Sequence, residues 1–217
     1  MVSLQDIRAE AVEQLRAVEA GPSLDEVTSA LIGFAVRISV TTLDSAGAAV
    51  YARQALAAGA TTEQLHEAVF LVSGLGVHSL FEGSRLVEGL ASERHELDTA
   101  APLDDERQKI WDKRIGNDKY WLSLEREAPG FLKALLRATT DGFEAFFRYC
   151  AVPWKSTHLS ALTKELISMA VDATPTHRFL PGMRLHLANA VRLGAGRDAV
   201  LRVLEIAAEA PAHPGVR

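Results

Sequence analysis

Residues 162–208 read LTKELISMAVDATPTHRFLPGMRLHLANAVRLGAGRDAVLRVLEIAA and carry the clearest periodic pattern in the chain. Apolar residues recur here every three to four positions, which is typical of amphipathic helices. Pro181-Gly182 and Gly194 interrupt the pattern, and both residue types commonly mark turns or helix ends. The stretch therefore predicts three helices, near 160–173, 182–193 and 197–209.

This stretch has a counterpart earlier in the chain at a constant offset of 135 residues. Residues 31–78 align with 166–213 without a gap, and the shared glycines fall at matching turns. The identical pairs are Leu31/Leu166, Ile32/Ile167, Ala35/Ala170, Val36/Val171, Thr41/Thr176, Gly47/Gly182, Ala55/Ala190, Gly59/Gly194, Ala60/Ala195 and His78/His213. We predict a duplicated helical unit, with a first repeat over 1–95 and a linker and second repeat over 96–217.

The rest of the chain also predicts helix, and strand signals are weak throughout. Ser23 is a predicted N-cap, and Thr61 with Gln64 forms a predicted capping box. The polar segment 92–106 lacks periodicity and is the predicted linker. The remaining predicted helices cover 4–19, 24–40, 45–58, 65–76, 105–115, 117–126 and 131–149. The fold class is therefore predicted to be all-α.

Composition narrows the range of functions. Of 217 residues, 48% are hydrophobic and 24% charged, and the formal net charge is −5 without a basic patch suited to nucleic acid. The start of the chain mixes acids and bases, and no apolar run approaches the ~20 residues of a membrane helix. The single cysteine, Cys150, excludes an intramolecular disulfide. We expect a cytoplasmic protein without nucleic-acid or membrane partners.

The two repeats differ at residues that could transfer protons. His177, His186 and Glu165 of the second repeat align with Thr42, Tyr51 and Ala30 of the first. Histidine suits proton transfer because its ordinary pKa is near ~6.5. The two histidines could equally be metal ligands or satisfied core residues. A metal site is not predicted, because zinc needs three or four ligands and this pair lacks a third in register.

At these residues the chain resembles the carboxymuconolactone decarboxylase and alkylhydroperoxidase D superfamily. The shared pattern consists of Lys164-Glu165-Leu166-Ile167, Thr176-His177, Pro181-Gly182, His186, and Ala190 to Gly194-Ala195. The upstream Val152-Pro153-Trp154-Lys155 also resembles the family. The resemblance is strongest to tandem decarboxylase-like members. It implies a duplicated alkylhydroperoxidase D-like repeat in an oligomeric helical bundle.

The resemblance also implies roles for individual residues. His186, His177 and Glu165 would be catalytic, and Arg184, Arg178 and Trp154 would bind substrate. The reaction would need no metal and no organic cofactor. The partners would be a small-molecule substrate and further copies of the chain, in a trimer or hexamer. Apolar helical segments at 31–40 and 66–77 lead to the same expectation, because they are apolar over more of their circumference than one small domain covers.

Two departures from the family limit the reaction. Peroxidase members place a CxxC before the helical histidine, but Phe179 and Gly182 occupy those positions here. A dithiol relay is therefore excluded, since it requires a thiolate and a resolving thiol. The spacing from Glu165 to His186 is also about two residues longer than in the decarboxylase proper. We predict that the substrate need not be carboxymuconolactone.

Three functions remain open from the sequence. The first is a cofactor-independent lyase or isomerase that uses histidine proton transfer on a small carboxylate or lactone. The second is a lactone hydrolase in which His186 activates water. The third is a non-catalytic helical oligomer whose site has decayed.

Overall fold

The computed structural model describes residues 1–215, and over these residues the chain forms helices and no strand. The all-α prediction is confirmed. In the described part, no helix is long and apolar enough to cross a membrane. Besides a short 3-10 helix at Gly74–Gly76, the helices are α1 (Leu4–Gln14), α2 (Glu26–Ile38), α3 (Ser45–Ala57), α4 (Thr62–Ser73), α5 (Val77–Glu93), α6 (Asp105–Arg114), α7 (Lys119–Glu127), α8 (Phe131–Ala138), α9 (Thr140–Lys155), α10 (Ala161–Asp172), α11 (Leu180–Arg192) and α12 (Arg197–Ala208).

The chain forms two compact units. Unit 1 combines Met1–Ser73 with the chain from Val152 onward, and unit 2 is Gly74–Ala151. Unit 1 therefore contains helices from both predicted repeats. The predicted repeat boundary between residues 95 and 96 is a separate question and stays a prediction.

The helices of unit 1 repeat at the offset seen in the sequence. Adding 135 to the bounds of α3, 45–57, gives the bounds of α11, 180–192. The same addition converts α4, 62–73, into α12, 197–208. Helix α2 packs against α3 as α10 packs against α11, while α2 also contacts α10 and α12. Equivalent residues of unit 1 thus form equivalent helices.

The loop before the second helix of each set has the same backbone. Leu43 (φ 42°) and Arg178 (φ 50°), 135 residues apart, both adopt the left-handed conformation. The next residue closes each loop, as Asp44 N–H donates to Arg37 O at 2.9 Å and Phe179 N–H donates to Asp172 O at 2.8 Å. These loops place the residues that follow α2 and α10 in matching positions.

Helix α2 lies at the centre of unit 1. Its residues 30–36 are all buried, because α3, α4, α10 and α12 surround it. The expectation that 31–40 is too apolar to be covered within one chain was therefore wrong for this helix. In α4, Phe70 remains 53% exposed.

Several predicted helix limits need correction. Helix α5 is absent from the predicted helices, because it lies between the predicted helix 65–76 and the predicted linker 92–106. Predicted helix 131–149 is two helices, because Thr139 is extended (φ −161°, ψ 120°). Asp25, not Ser23, caps α2 by accepting from Thr28 N–H at 2.8 Å. The Thr61–Gln64 capping box is confirmed, with reciprocal hydrogen bonds of 2.9 and 3.2 Å.

Unit 2 is held by a cluster of aromatic side chains. Phe81 lies 4.0 Å from Phe131 between ring centroids, and Phe146 packs edge-on against Phe131 at 5.5 Å. Trp121 contacts Phe147 at 4.6 Å. Aromatic pairs of this kind stabilise a fold beyond the burial of their large apolar surfaces. Among the six predicted site residues, none belongs to this unit.

Candidate active site

Glu165 and His186 form a close pair in unit 1. Glu165 lies on α10 and His186 on α11, and the loop between these helices allows the two helices to pack together. His186 Nδ1 is 2.6 Å from Glu165 Oε2. The structure thus brings together two of the three residues predicted to be catalytic.

The pair is shielded from solvent. Glu165 is 4% exposed, and the His186 side chain is 14% exposed. Burial by itself lowers the pKa of His186, but the hydrogen bond to Glu165 and the charges of Glu165 and Asp172 outweigh it, so the pKa lies above the ordinary 6.5. These partners therefore favour the protonated form of His186 more than water would for a free imidazole.

Two further side chains extend this pair. Asn189 Nδ2 donates to Glu165 Oε1 at 3.1 Å, and Arg192 Nη2 donates to Asn189 Oδ1 at 2.8 Å. Neither residue was singled out from the sequence. Their spacing was the one sequence feature that pointed to them. Asn189 and Arg192 follow His186 at successive steps of three residues, and helix residues three apart are neighbours on the surface.

His177 lies in the loop between α10 and α11. Its backbone N–H donates to Thr174 O at 3.1 Å, and its ring stacks on Phe179 with centroids 5.7 Å apart. His177 Nε2 lies 3.5 Å from Asp172 Oδ1, and Asp172 is 1% exposed.

Gly182 does not form the expected turn after Pro181. Both residues lie in the first turn of α11, where proline is tolerated because its missing N–H has no helical partner. Glycine is required for a different reason, since a Cβ at Gly182 would lie 2.1 Å from Asp172 Oδ2. A Cβ added at Gly47 of the first repeat would be equally close to a carboxylate, at 2.1 Å from Asp44 Oδ2.

The two arginines predicted to bind substrate contact the beginning of the chain. Arg178 Nη1 donates to Val2 O at 3.0 Å. Arg184 Nη2 lies 2.7 Å from Glu10 Oε2 and lines an open cleft of about 660 Å³ with residues of α1. Arg184 and His186 are two residues apart on α11 and so point to different sides of the helix.

Trp154 lies beside a buried ion pair. Its ring centroid is 5.9 Å from Lys164 Nζ, which lies 2.6 Å from Glu67 Oε1. Glu67 Oε2 also accepts from Ser156 Oγ at 2.7 Å and from Leu159 N–H at 3.0 Å. Burial alone would raise the pKa of Glu67. The hydrogen bonds from Lys164, Ser156 and Leu159 outweigh burial, so the pKa lies below its ordinary value. The cluster joins α4 to the helix that carries Glu165.

The first repeat has no such proton-transfer pair. Ala30 and Tyr51 stand where Glu165 and His186 stand in the second repeat. Instead, the Arg37 guanidinium lies 4.2 Å from the centroid of the Tyr51 ring and donates to Gly33 O at 3.3 Å. The buried carboxylate and its imidazole partner therefore belong to the second repeat.

Cys150 is unsuited to peroxide chemistry. Burial raises the pKa of its thiol to about 11, so the reactive thiolate is rare at neutral pH. It is also the one cysteine of the sequence, which leaves no resolving thiol.

Comparison with known proteins identifies a similar solved structure. A crystal structure from Burkholderia xenovorans LB400, described provisionally as a gamma-carboxymuconolactone decarboxylase subunit, is 32% identical to this chain. The match covers 94% of this chain and 77% of the Burkholderia chain, with a TM-score of 0.74. No family model and no curated protein matches the chain.

Proposed function

Because the chain belongs to the carboxymuconolactone decarboxylase family, we propose that it is a cofactor-independent lyase or isomerase acting on a small carboxylate or lactone. His186 is the proton carrier, and Glu165 holds its imidazole. The observation that carries this proposal is the 2.6 Å contact between His186 Nδ1 and the buried Glu165 carboxylate.

The pair suits the protonation of an enolate. In a decarboxylation, the carbon–carbon bond to the carboxylate breaks, carbon dioxide leaves, and the electron pair passes to the lactone carbonyl as an enolate. In its protonated form, which the raised pKa favours, His186 gives its Nε2 proton to the enolate carbon. The neutral ring keeps its Nδ1–H hydrogen-bonded to Glu165, and its Nε2 then takes up a proton from solvent.

The remaining predicted site residues keep proposed roles in this reaction. His177 orients or binds substrate from its loop beside Asp172. Arg178 and Arg184 are proposed to seat a carboxylate, which would require each to exchange its present contact near α1 for the substrate. Trp154, 38% exposed, is proposed to form a wall of the pocket.

We also propose that the chain is a tandem repeat and forms a homo-oligomer, a trimer or hexamer, in the cytoplasm. The equal helix bounds at an offset of 135 support the repeat. The Burkholderia protein is described as a subunit, which supports an assembly. Light scattering at micromolar concentration tests the assembly, and a monomeric mass would contradict it.

The raised pKa also bears on the second candidate, a lactone hydrolase. Activation of water requires a neutral imidazole that accepts a proton, and the hydrogen bond to Glu165 and the charges of Glu165 and Asp172 stabilise the protonated form instead. The electrostatic environment of His186 therefore favours proton donation over water activation.

Product analysis tests the proposed function. The protein is incubated with gamma-carboxymuconolactone and with a panel of small lactones and unsaturated carboxylates, and the products are identified by NMR. Release of carbon dioxide or migration of a double bond is expected. Ring opening with uptake of water would instead support the hydrolase, and no turnover of the whole panel would support the non-catalytic oligomer.

A further inference from the structure

We infer that Asn189 and Arg192 are positioning residues that hold the Glu165 carboxylate and thereby keep neutral His186 in the tautomer protonated on Nδ1. The inference deepens the proton-transfer role proposed above and rests on it. Asn189 and Arg192 follow His186 on α11 at successive steps of three residues, so all three side chains lie along one side of the helix.

The chemistry of the groups fixes the orientation of the Asn189 amide. A guanidinium can only donate hydrogen bonds, and an ionised carboxylate can only accept them. Arg192 Nη2, at 2.8 Å, must therefore face the Asn189 oxygen, and Glu165 Oε1, at 3.1 Å, must face the Asn189 nitrogen. A rotated amide would lose both hydrogen bonds.

This amide in turn fixes the carboxylate. Oε1 of Glu165 is occupied by Asn189, which leaves Oε2 for His186 at 2.6 Å. Asn189 is 5% exposed and Glu165 4% exposed, so water is a poor substitute for a lost partner. Rotation of the carboxylate would leave a buried oxygen without its donor, which is unfavourable.

The fixed carboxylate determines which imidazole nitrogen carries the proton. A neutral histidine has one N–H, and the hydrogen bond made by one nitrogen sets the state of the other. With Nδ1–H donating to Glu165, Nε2 keeps a lone pair that can take up a proton after each turnover. If the carboxylate moved away, more of the neutral ring would carry its proton on Nε2, and the lone pair that accepts the next proton would lie on Nδ1 instead.

The first repeat offers a matched control position. Gln54 lies 135 residues before Asn189 and is exposed, and Ala30 supplies no carboxylate for it to hold. A substitution at Gln54 removes an amide from the equivalent helix without touching Glu165. Position 57, which aligns with Arg192, is an alanine, so Arg53, another exposed arginine of α3, serves as the arginine control.

The test measures the His186 tautomer by ¹⁵N NMR of imidazole-labelled protein above the pKa of His186, with the signals assigned from the His186→Asn spectrum. The wild type is expected to be protonated on Nδ1. Asn189→Leu should raise the ratio of the Nε2–H to the Nδ1–H tautomer on the order of tenfold, the size expected for losing a hydrogen bond to a charged group. Arg192→Met should change the ratio in the same direction by less.

The controls Gln54→Leu and Arg53→Met should leave the tautomer as in the wild type. Should Asn189→Leu fail to fold, Arg192→Met carries the test, because Arg192 reaches solvent. An unchanged ratio in the folded Asn189 or Arg192 variant would overturn the inference. That result would not depend on turnover, so it is distinct from a failure of the proposed function.

Discussion

His186 combines burial with a close negative partner, and the partner dominates its protonation. Burial alone would lower the pKa of the imidazole. The Glu165 hydrogen bond and the charges of Glu165 and Asp172 outweigh this effect and raise the pKa above 6.5. In unfolded chains this partner is absent. Protonation of His186 is therefore coupled to folding.

This coupling predicts how stability depends on pH. Because the folded pKa of His186 is raised, its contribution to the free energy of unfolding is complete below about pH 6.5 and is lost as pH rises through the folded value. The difference in stability between wild type and His186→Asn should thus shrink with rising pH. Urea unfolding across this range measures it.

Tyr51→Phe serves as the control and should keep the wild-type pH slope, since Tyr51 has no carboxylate in its hydrogen-bonding reach among the described contacts. A constant difference between wild type and His186→Asn at every pH would show that Glu165 does not stabilise the His186 charge.

At individual positions, the family motif singled out Glu165 and His186 as candidate catalytic residues, and the structure places their side chains 2.6 Å apart. The sequence could not predict that Arg178 contacts Val2 or that Arg184 contacts Glu10. The partners are 176 and 174 residues apart along the chain. The Asn189 and Arg192 contacts were accessible from helical spacing alone. They were missed because neither residue type is a usual proton carrier.

Among the helices, α11 begins against α10, and Gly182 permits this approach. The Asp172 carboxylate fills the space that a Cβ at position 182 would need. Gly182→Ala should therefore reduce the free energy of unfolding by about 1–3 kcal/mol, the usual range for overpacking a buried site. Chemical denaturation measures the loss, and Gly47→Ala should show a similar one because of Asp44.

Gly89→Ala is the control for this prediction. Gly89 lies inside α5, and a Cβ there would meet nothing within 4 Å. The alanine should raise stability slightly, since glycine inside a helix is unfavourable by ~1 kcal/mol. Equal effects at positions 89 and 182 would contradict the steric account.

The helices were predicted well where apolar periodicity and caps coincide, as at α3, α4 and α12. They were predicted poorly where a boundary depends on neighbouring structure. The break at Thr139 has no proline or glycine at that residue, and α5 carries four exposed apolar side chains that weaken its pattern, namely Leu80, Leu86, Val87 and Leu90. The sequence predicted a turn at Gly182, whereas the residue with a positive φ angle before α11 is Arg178.

Over the chain as a whole, the offset of 135 residues links sequence to structure most directly. Helix bounds, positive φ angles and loop hydrogen bonds recur at this spacing within unit 1. The buried Lys164–Glu67 ion pair has no such sequence signal, because its partners lie on α10 and α4 and come together only in the fold. Tertiary contacts of this kind limit what a single sequence can reveal.

The repeats also supply the comparison on which the central claim depends. Asparagine at position 186 places an amide nitrogen about where Nδ1 lies, so it can still donate to Glu165, but it has no Nε2 to carry a proton. Tyr51→Phe makes a mild change at the matching position of the first repeat. The two variants separate proton transfer from general effects on the helices.

The most direct measurement is therefore the turnover number of His186→Asn beside Tyr51→Phe, with melting temperatures, on whichever substrate the product analysis identifies. His186→Asn should lose on the order of 100-fold or more in turnover, the scale for removing a general acid, while its melting temperature, compared at a pH above the folded pKa of His186, stays near that of the wild type. Tyr51→Phe should stay close to wild-type turnover. Unchanged turnover in His186→Asn, or a loss that merely follows unfolding, would contradict a catalytic His186.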